Sequence, residues 1–498
     1  MPEAHDPYAA LRCRDYRLLL AGGVLASVGG EIEAVAVGWE LYQRTHSAAA
    51  LGFAGLAQFL PVLLLALPAG QAADRYSRRV MFQLAQVTAA VAALGLAALS
   101  FWQGPVELVY PCLLLAGVAR AFSAPARSSL LPQVVPPEAL GNAVTWNSSG
   151  WQFANVAGPA VGGAVIAVMG GQPTASYVLA ALCALACIVL LAPVRPRYGS
   201  ARRAPARTVA SLFAGVRFVW RTELLLAAIT LDLFAVLLGG ATALLPIYAQ
   251  DLLHVGAVGL GWLRAAPALG AVIMALSLAH RPPLRRPGRA LLLAVAGFGA
   301  ATIVFGVSGN FWLSFAALAA TGALDNVSVV VRGTLMQTLT PDEMRGRVAA
   351  VNSVFISSSN ELGAFESGTT AALFGPVASV VGGGVGTILV VLMVMARWPR
   401  LLGLGPVHLY RPINEAALGS AADAAAEEWK GGQAMRGIHD LTTEEAYRLV
   451  AERFGHALPP LDAVENEDWG RDYVLQHFQR HTAEELADAG LTWEESRD

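Results

Sequence analysis

Ionisable side chains inside long apolar stretches are the residues of this chain best suited to chemistry. A charge near the centre of a bilayer costs roughly 2.5–3.5 kcal/mol on insertion scales, so each such residue needs a function or a partner. Burial favours the neutral form of a carboxylate, which makes it a usable proton carrier. The set is Glu31, Glu33, Glu40, Arg120, Asp232, Arg264, Asp325 and Glu361. These residue types predict proton transfer or charge pairing within a membrane.

Several of these residues have more than one interpretation. Glu33 and Glu40 are seven residues apart and therefore share one helix face. Glu40 lies near the end of its stretch, where it is either an interfacial residue or a substrate contact. Asp232 is either a cavity carboxylate or a partner of a neighbouring helix. Arg264 is either a cavity cation or a partner of Asp251 or Asp232.

The apolar stretches that carry these charges number twelve. Each has on the order of 20 residues, the length of a membrane-spanning helix. Arginine-rich loops alternate with loops of few charges, which predicts that both chain termini are cytoplasmic. The predicted spans are 18–43, 49–72, 80–102, 106–130, 142–169, 174–193, 224–250, 257–280, 289–308, 310–333, 348–374 and 376–397.

The composition is that of a membrane protein with an acidic extension. Hydrophobic residues make up 55% and charged residues 14% of the chain, whereas soluble domains average roughly 25% charged residues. Residues 401–498 hold 19 acidic and 8 basic side chains, and residues 1–400 hold 17 acidic and 26 basic ones. The basic residues lie in short loops between apolar segments, which argues against nucleic-acid binding.

ATP and cofactor chemistry find no support in the sequence. Lys430 is the only lysine and is followed by Gly431, so the Lys-Ser/Thr end of a phosphate-binding loop is missing. The four cysteines show no metal-ligand spacing. We therefore expect no ATP, no metal, no cofactor and no enzymatic activity, and an ion gradient would have to drive any uphill transport.

The apolar region contains an internal repeat. A shift of 205 residues places polar, glycine and proline residues of the first half on identical residues of the second. Examples are Arg127 on Arg332, Pro136 on Pro341 and Asn147 on Asn352. The repeat predicts a parallel duplication of a six-helix unit.

The repeat divides the chain into four parts. Residues 1–193 and 223–400 are the two six-helix halves, 194–222 is a basic cytoplasmic linker with an amphipathic segment, and 401–498 is an acidic cytoplasmic tail. Thr-x-x-Glu helix starts in the tail predict a small helical module. An acidic appendage without fixed structure and a docking site for a cytoplasmic protein are the alternatives.

A charged run between the second and third stretches is the most informative motif. It is predicted as a ten-residue loop that holds two helices together at the cytoplasmic face. Its key residues are Gly70, Asp74, Arg75, Arg78 and Arg79. This run, together with Leu212–Phe218, Thr340–Val348 and Asn352–Gly363, resembles the enterobactin-exporter-like branch of the major facilitator superfamily.

The resemblance covers about residues 10–400. It implies an all-α membrane protein with twelve transmembrane helices in two pseudo-symmetric six-helix halves, which is the major facilitator fold. It also implies proton-coupled export of a siderophore, a drug or another amphipathic small molecule by alternating access. A bacterial inner cell membrane is the predicted location. An importer or facilitator of the same fold, and a membrane sensor whose tail recruits a partner, are the alternatives.

A run on the fifth stretch is similar to the antiporter motif of the superfamily. It contains Gly158, Pro159, Gly162 and Gly163. A Gly-Pro pair kinks a helix, and paired glycines permit close backbone contact. The resemblance implies a seal against leak in an exporter, and a plain packing kink is the alternative.

The resemblance also assigns roles to the buried charges, because the first, fourth, seventh and tenth helices of this fold line a central cavity. The 205-residue shift relates Arg120 to Asp325, which suggests a salt bridge between the halves that breaks during transport. The expected proton-coupling residues are Glu31, Glu33, Arg120, Asp232, Asp325 and Glu361. The expected substrate contacts are Trp39, Glu40, Trp146, Arg264 and Asn360.

Overall fold

Long helices form because a chain in lipid must satisfy its backbone hydrogen bonds within each segment. A computed structural model describes residues 6–198, 209–282, 284, 286–405, 436–437, 443–453 and 491–492. Six helices form the first half: α1 (Arg14–Thr45), α2 (Ala48–Arg75), α3 (Arg78–Phe101), α4 (Val109–Val134), α5 (Leu140–Val168) and α6 (Thr174–Leu191).

The second half begins after an amphipathic helix, α7 (Val209–Arg221), which packs against the start of α13. Its helices are α8 (Glu223–Leu238), α9 (Leu245–Ile247), α10 (Gly256–Ala279), α11 (Pro287–Val307), α12 (Phe311–Leu339), α13 (Asp342–Phe374) and α14 (Pro376–Arg397). The seventh span is interrupted: α8 ends before Gly239 and Gly240, and the π-helical turn Tyr248–Leu252 follows α9.

The structure confirms the predicted fold class. Eleven helical segments of the described part are long and apolar enough to span a membrane, with the interrupted seventh span counted as one. The twelfth long helix, α13, has 33 residues. It is the equivalent of α5 in the second half.

The helices of the two halves pack in the same pattern. In the first half α1 packs against α5 and α6, while α4 packs against α2 and α3. In the second half α8 packs against α13 and α14, while α12 packs against α10 and α11. The halves meet through α2 with α13 and through α5 with α10. The duplication read from the sequence is thus a duplication of the packing.

Three hydrophobic clusters show where the halves join. One cluster contains residues of both halves, including Tyr42, Leu51 and Leu260, near the end of the bundle that carries the α1–α2 turn. We call this end the far end. The other two clusters lie near the opposite end, and each contains residues of one half only. That opposite end carries the α2–α3 turn with Arg78 and Arg79, and we call it the arginine-rich end. The halves are therefore joined at the far end and separate toward the arginine-rich end.

Two predictions about local structure can be compared with the described residues. The prediction of a ten-residue loop over Gly70–Arg79 is wrong. Helix α2 continues to Arg75 and α3 begins at Arg78, so that only Tyr76 and Ser77 connect them. In the tail the structure describes α15 (Thr443–Arg448) and two short parallel strands, β1 (Arg436–Gly437) and β2 (Leu491–Thr492). The rest of the predicted helical module lies outside the described residues.

Candidate functional site

A cavity of about 910 Å³ lies between the two halves. Its walls run from Gly38 and Leu51, in the far part of the bundle, to Tyr16 and Leu131 near the arginine-rich end. The first half contributes residues from all six of its helices. The second half contributes the interrupted seventh span, α10 and α13. The cavity therefore faces the arginine-rich end and is closed by the shared cluster at the far end.

Two ion pairs cross this cavity from one half to the other. Arg120 on α4 lies 3.1 Å from Glu361 on α13 and also donates to Gln58 on α2 at 3.0 Å. Glu31 on α1 lies 3.6 Å from Arg264 on α10. All four charged residues line the cavity wall. The suggested bridge between Arg120 and Asp325 is wrong for this conformation, because Glu361 takes the arginine.

Glu33 and Asn360 line the same cavity. Among the described residues no basic side chain lies within ion-pair distance of Glu33, so this carboxylate is the one wall acid without a salt bridge. Asn360 donates to the carbonyl oxygen of Ile356 at 2.9 Å. Asn360 is exposed within the cavity lining.

The glycines of the α5 motif bring α5 close to α1 and α10. A Cβ at Gly158 would lie 2.5 Å from Cβ of Glu31, and one at Gly163 would lie 2.3 Å from the carbonyl oxygen of Ala257. Gly162 packs in the same way on Ile32. Gly163 and the Pro159 carbonyl oxygen therefore set the distance between the halves at α10, whereas Gly158 and Gly162 set the distance between α5 and α1 within the first half, beside Glu31.

A second set of contacts between the halves lies at the far end. The hydroxyl of Tyr42 on α1 donates a short hydrogen bond to the Asp251 carboxylate on the π-helical turn. The amide of Gln250 donates to the carbonyl oxygen of Trp39 at 3.4 Å. These contacts, which sequence reasoning missed, close the far end. The occurrence of a tyrosine at equivalent positions 42 and 248 was the only available signal.

Five predicted site residues lie off the described wall of this cavity, and their roles in coupling or substrate binding stay predictions. Asp232 is paired with Arg332 inside the second half, with side-chain exposures of 7% and 4%. Asp325 on α12 is absent from the described lining. Trp39 is buried and donates to the Gly171 carbonyl oxygen at 3.1 Å. Glu40 is buried against Arg44 at 3.2 Å, and Trp146 donates to the Pro7 carbonyl oxygen at 3.0 Å.

Helical periodicity alone could not place these residues. A helix buries roughly one side against its own half, and sequence spacing does not say which side faces the cavity. Glu33 and Glu40 lie on the same face of α1, but the surroundings of that face change along the helix. Glu33 lines the cavity, whereas the residues next to Glu40 belong to the far-end cluster.

The arginines of the α2–α3 connection hold helix ends within the first half. Arg78 donates to the Ser129 carbonyl oxygen on α4 at 3.2 Å. Arg79 donates to the carbonyl oxygens of Ala192 and Val194, just beyond α6, at 3.0 and 2.9 Å. Arg75 is exposed and Gly70 is buried, while the side chain of Asp74 lies outside the described residues. The contacts agree with a role in holding helices together.

Arg127 on α4 is a wall residue that sequence reasoning noted only as part of the repeat. It donates to the side-chain oxygens of Asn147, at 2.7 Å, and Ser27, at 3.3 Å. Both partners are neutral and line the cavity with it. The signal that could have found this site was the polar character of Ser27 and Asn147 within apolar stretches.

The comparisons with known proteins find membrane transporters. The family model described as "Transmembrane secretion effector" matches residues 5–401. The multidrug efflux pump Tap of Mycolicibacterium fortuitum is 28% identical over 380 residues, which are 73% of this chain and 89% of that protein. The enterobactin exporter EntS of Citrobacter koseri is 27% identical over 415 residues, which are 81% of this chain and 95% of that protein.

Solved structures share the fold at low sequence identity. An inward-facing, occupied bacterial homologue of the human lysosomal transporter Spinster has a TM-score of 0.62 at 14% identity, covering 80% of this chain and 97% of that one. The inward-open xylose transporter XylE of E. coli has a TM-score of 0.56 at 14% identity, covering 78% and 95%.

Proposed function

Because this chain belongs to the transmembrane secretion effector family of the major facilitator superfamily, we propose that it exports amphipathic small molecules, in the class of drugs or siderophores, in exchange for protons. It is a multi-pass membrane transporter, and its relatives are transporters and not enzymes. The observation that carries the proposal is the cavity of about 910 Å³ between two halves whose shared apolar cluster lies at the far end.

The charge of the loops orients the bundle in the membrane, and the exporter relatives supply the direction of transport. Arginine-rich loops stay on the cytoplasmic side of an inner membrane, so the arginine-rich end and both termini are cytoplasmic. The cavity then takes its substrate from the cytoplasm or the inner leaflet. The far-end closure must open to release the substrate outside, and the α5 glycines beside it limit leak.

The proton step uses the carboxylates of the wall. Glu33 has no salt bridge among the described residues, whereas Glu31 and Glu361 hold arginines of the opposite half. Protonation of Glu31 or Glu361 would weaken the pairs that hold the halves together, while Glu33 is free to exchange a proton with the cavity. A proton that moves down the membrane potential releases about 2.3 kcal/mol per 100 mV, so no ATP is required.

Everted membrane vesicles energised with a proton gradient test this proposal. We expect a panel of siderophores and lipophilic drugs to contain compounds that trigger proton release from vesicles with the wild-type protein. Glu33→Gln should abolish that release while the compound still binds. The matched control is Glu107→Gln, since Glu107 is an exposed carboxylate at the far end.

The outcomes separate the candidate functions. Compound accumulation without proton release would indicate a facilitator or a different coupling ion. Proton release that survives Glu33→Gln would move the coupling role to Glu31 or Glu361. A chain that binds no compound and moves none would favour a sensor whose acidic tail recruits a cytoplasmic partner.

A further inference from the structure

The internal repeat gives each half an equivalent arginine, and the two are neutralised differently. Arg127 on α4 and Arg332 on α12 are related by the 205-residue shift, and so are their neighbours Ser27 on α1 and Asp232 on α8. In the second half Arg332 is paired with Asp232 and both are buried. In the first half serine takes the place of the aspartate. The carboxylate that neutralises one arginine is therefore missing beside the other.

Only neutral acceptors contact Arg127 in the described part of the chain. Its guanidinium donates to Asn147 at 2.7 Å, to Ser27 at 3.3 Å and to the Gly23 carbonyl oxygen at 3.4 Å. A guanidinium has five N–H donors, so these three bonds leave two donors. Taking a guanidinium out of water without a counter-charge is costly, and an anion that reached the two donors would offset that cost.

The surrounding backbone is shaped for this side chain. A Cβ at Gly23 would lie 2.7 Å from Cζ of Arg127 and 2.8 Å from two of its nitrogens, so the guanidinium packs against α1 only because residue 23 is glycine. The equivalent residue of the second half is Ala228. The site is thus an arrangement specific to the first half.

The remaining arginines of the cavity already have carboxylate partners. Arg120 pairs with Glu361 and Arg264 pairs with Glu31. Arg127 lies with Ser27 and Asn147 in the wall, and of the three described wall arginines it is the one without an acidic partner. An anion that enters from the arginine-rich end meets this uncompensated charge.

We propose that Arg127, Ser27 and Asn147 form an anion-binding subsite that receives a carboxylate, sulfonate or phosphate group of an amphipathic substrate. Arginine binds such groups through paired N–H donors that match their oxygens. The Asn147 amide supplies a further donor through its nitrogen. That the anion is a transported substrate rests on the proposed export function, whereas anion binding at this subsite does not.

Equilibrium dialysis of the full-length protein in nanodiscs tests the subsite without any transport step. The probes share one aromatic body: 1-naphthoate carries a carboxylate and 1-naphthalenemethanol is neutral, and empty nanodiscs correct for partition into lipid. We expect the wild-type protein to bind 1-naphthoate about ten-fold more tightly than the alcohol. Equal affinity for the two probes would overturn the proposal.

Ser27→Asp transfers the arrangement of the second half to the first. The new carboxylate should pair with Arg127 and reduce the preference for 1-naphthoate to about three-fold or less. Asn155→Asp adds the same charge to the cavity wall about 12 Å farther along α5 from Asn147, and the preference should persist. Wild-type preference in a folded Ser27→Asp protein, judged by its thermal unfolding midpoint, would overturn the proposal.

Two further measurements keep the outcomes distinct. If Ser27→Asp does not fold, Gly23→Ala displaces the guanidinium and should cause the same loss of preference. Acetate in competition separates a counter-ion site from a substrate subsite, because displacement of 1-naphthoate by equimolar acetate would contradict recognition of an amphipathic anion. A protein that fails to export but keeps its preference would contradict the export function and leave the subsite standing.

Discussion

Arg120 on α4 and Glu361 on α13 lie 3.1 Å apart and join the two halves of the transporter across its cavity. Glu31 on α1 and Arg264 on α10 form the reverse arrangement at 3.6 Å, in which the first half supplies the acid. Each half thus offers one charge of each sign to its partner. Neutralising one carboxylate removes one of the two links and leaves the other. We therefore expect loss of one pair to open the far end less than loss of both.

Glu361→Gln should shift the protein toward a conformation that is open at the far end. The side chains of this pair are 52% and 25% exposed, so the lost interaction is of the surface type, on the order of 0.5–1 kcal/mol, and the shift is about two- to five-fold in population. The measurement is the distance distribution between spin labels at Gln103 and Gly309, at the far end of each half, in a cysteine-free background.

The matched control for this prediction reverses the pair. Arg120→Glu combined with Glu361→Arg keeps a link between the halves and should restore the wild-type distribution. A distribution that is unchanged in Glu361→Gln would show that the pair does not bias the opening of the far end.

Gly163→Ala should also favour opening of the far end, through overpacking. The added Cβ would lie 2.3 Å from the Ala257 carbonyl oxygen, so α10 has to move away at a cost of about 1–3 kcal/mol to the closed conformation. The same spin-label distance reports the change. Gly141→Ala on the same helix, where a Cβ meets no atom within 4 Å, is the control. Equal behaviour of the two variants would contradict this role of the α5 glycines.

Tyr42→Phe should weaken the far-end closure because Asp251 loses its donor from the opposite half. The hydrogen bond contributes about 1 kcal/mol, which predicts about a five-fold rise in the open population. Tyr248→Phe is the control from the equivalent position, since its hydroxyl donates at 3.0 Å to the Gly306 carbonyl oxygen within one half. That variant should lower stability without changing the far-end distance, and a similar distance change in both would count against the assignment.

Asp232→Asn should act on stability and not on the coupling of transport to protons. It leaves Arg332 charged and buried, with 4% of its side chain exposed, which costs about 3–5 kcal/mol. Unfolding by a denaturing detergent in mixed micelles measures the loss, and Glu107→Gln should be neutral in the same assay. A stable Asp232→Asn protein that binds its compound but releases no protons would return Asp232 to the coupling machinery.

The sequence by itself determined the fold class of this protein. Apolar stretches of spanning length have few alternatives in a bilayer, because each must satisfy its own backbone hydrogen bonds, and the 205-residue repeat required two equivalent halves. The sequence also indicated that Glu31, Glu33, Arg120, Arg264, Asn360 and Glu361 belong to the cavity, and the structure brings all six to its wall.

Only the tertiary structure decided which acidic and basic side chains form ion pairs. Glu361 and Arg120 are 241 residues apart, and their contact depends on how α2 and α13 join the halves. Asp232 and Ser27 are equivalent in the repeat, yet one neutralises a buried arginine and the other leaves its arginine facing the cavity with neutral partners. Helical periodicity defines a face of each helix but not the neighbour of that face, since the neighbour is set by packing between segments that are distant in the chain.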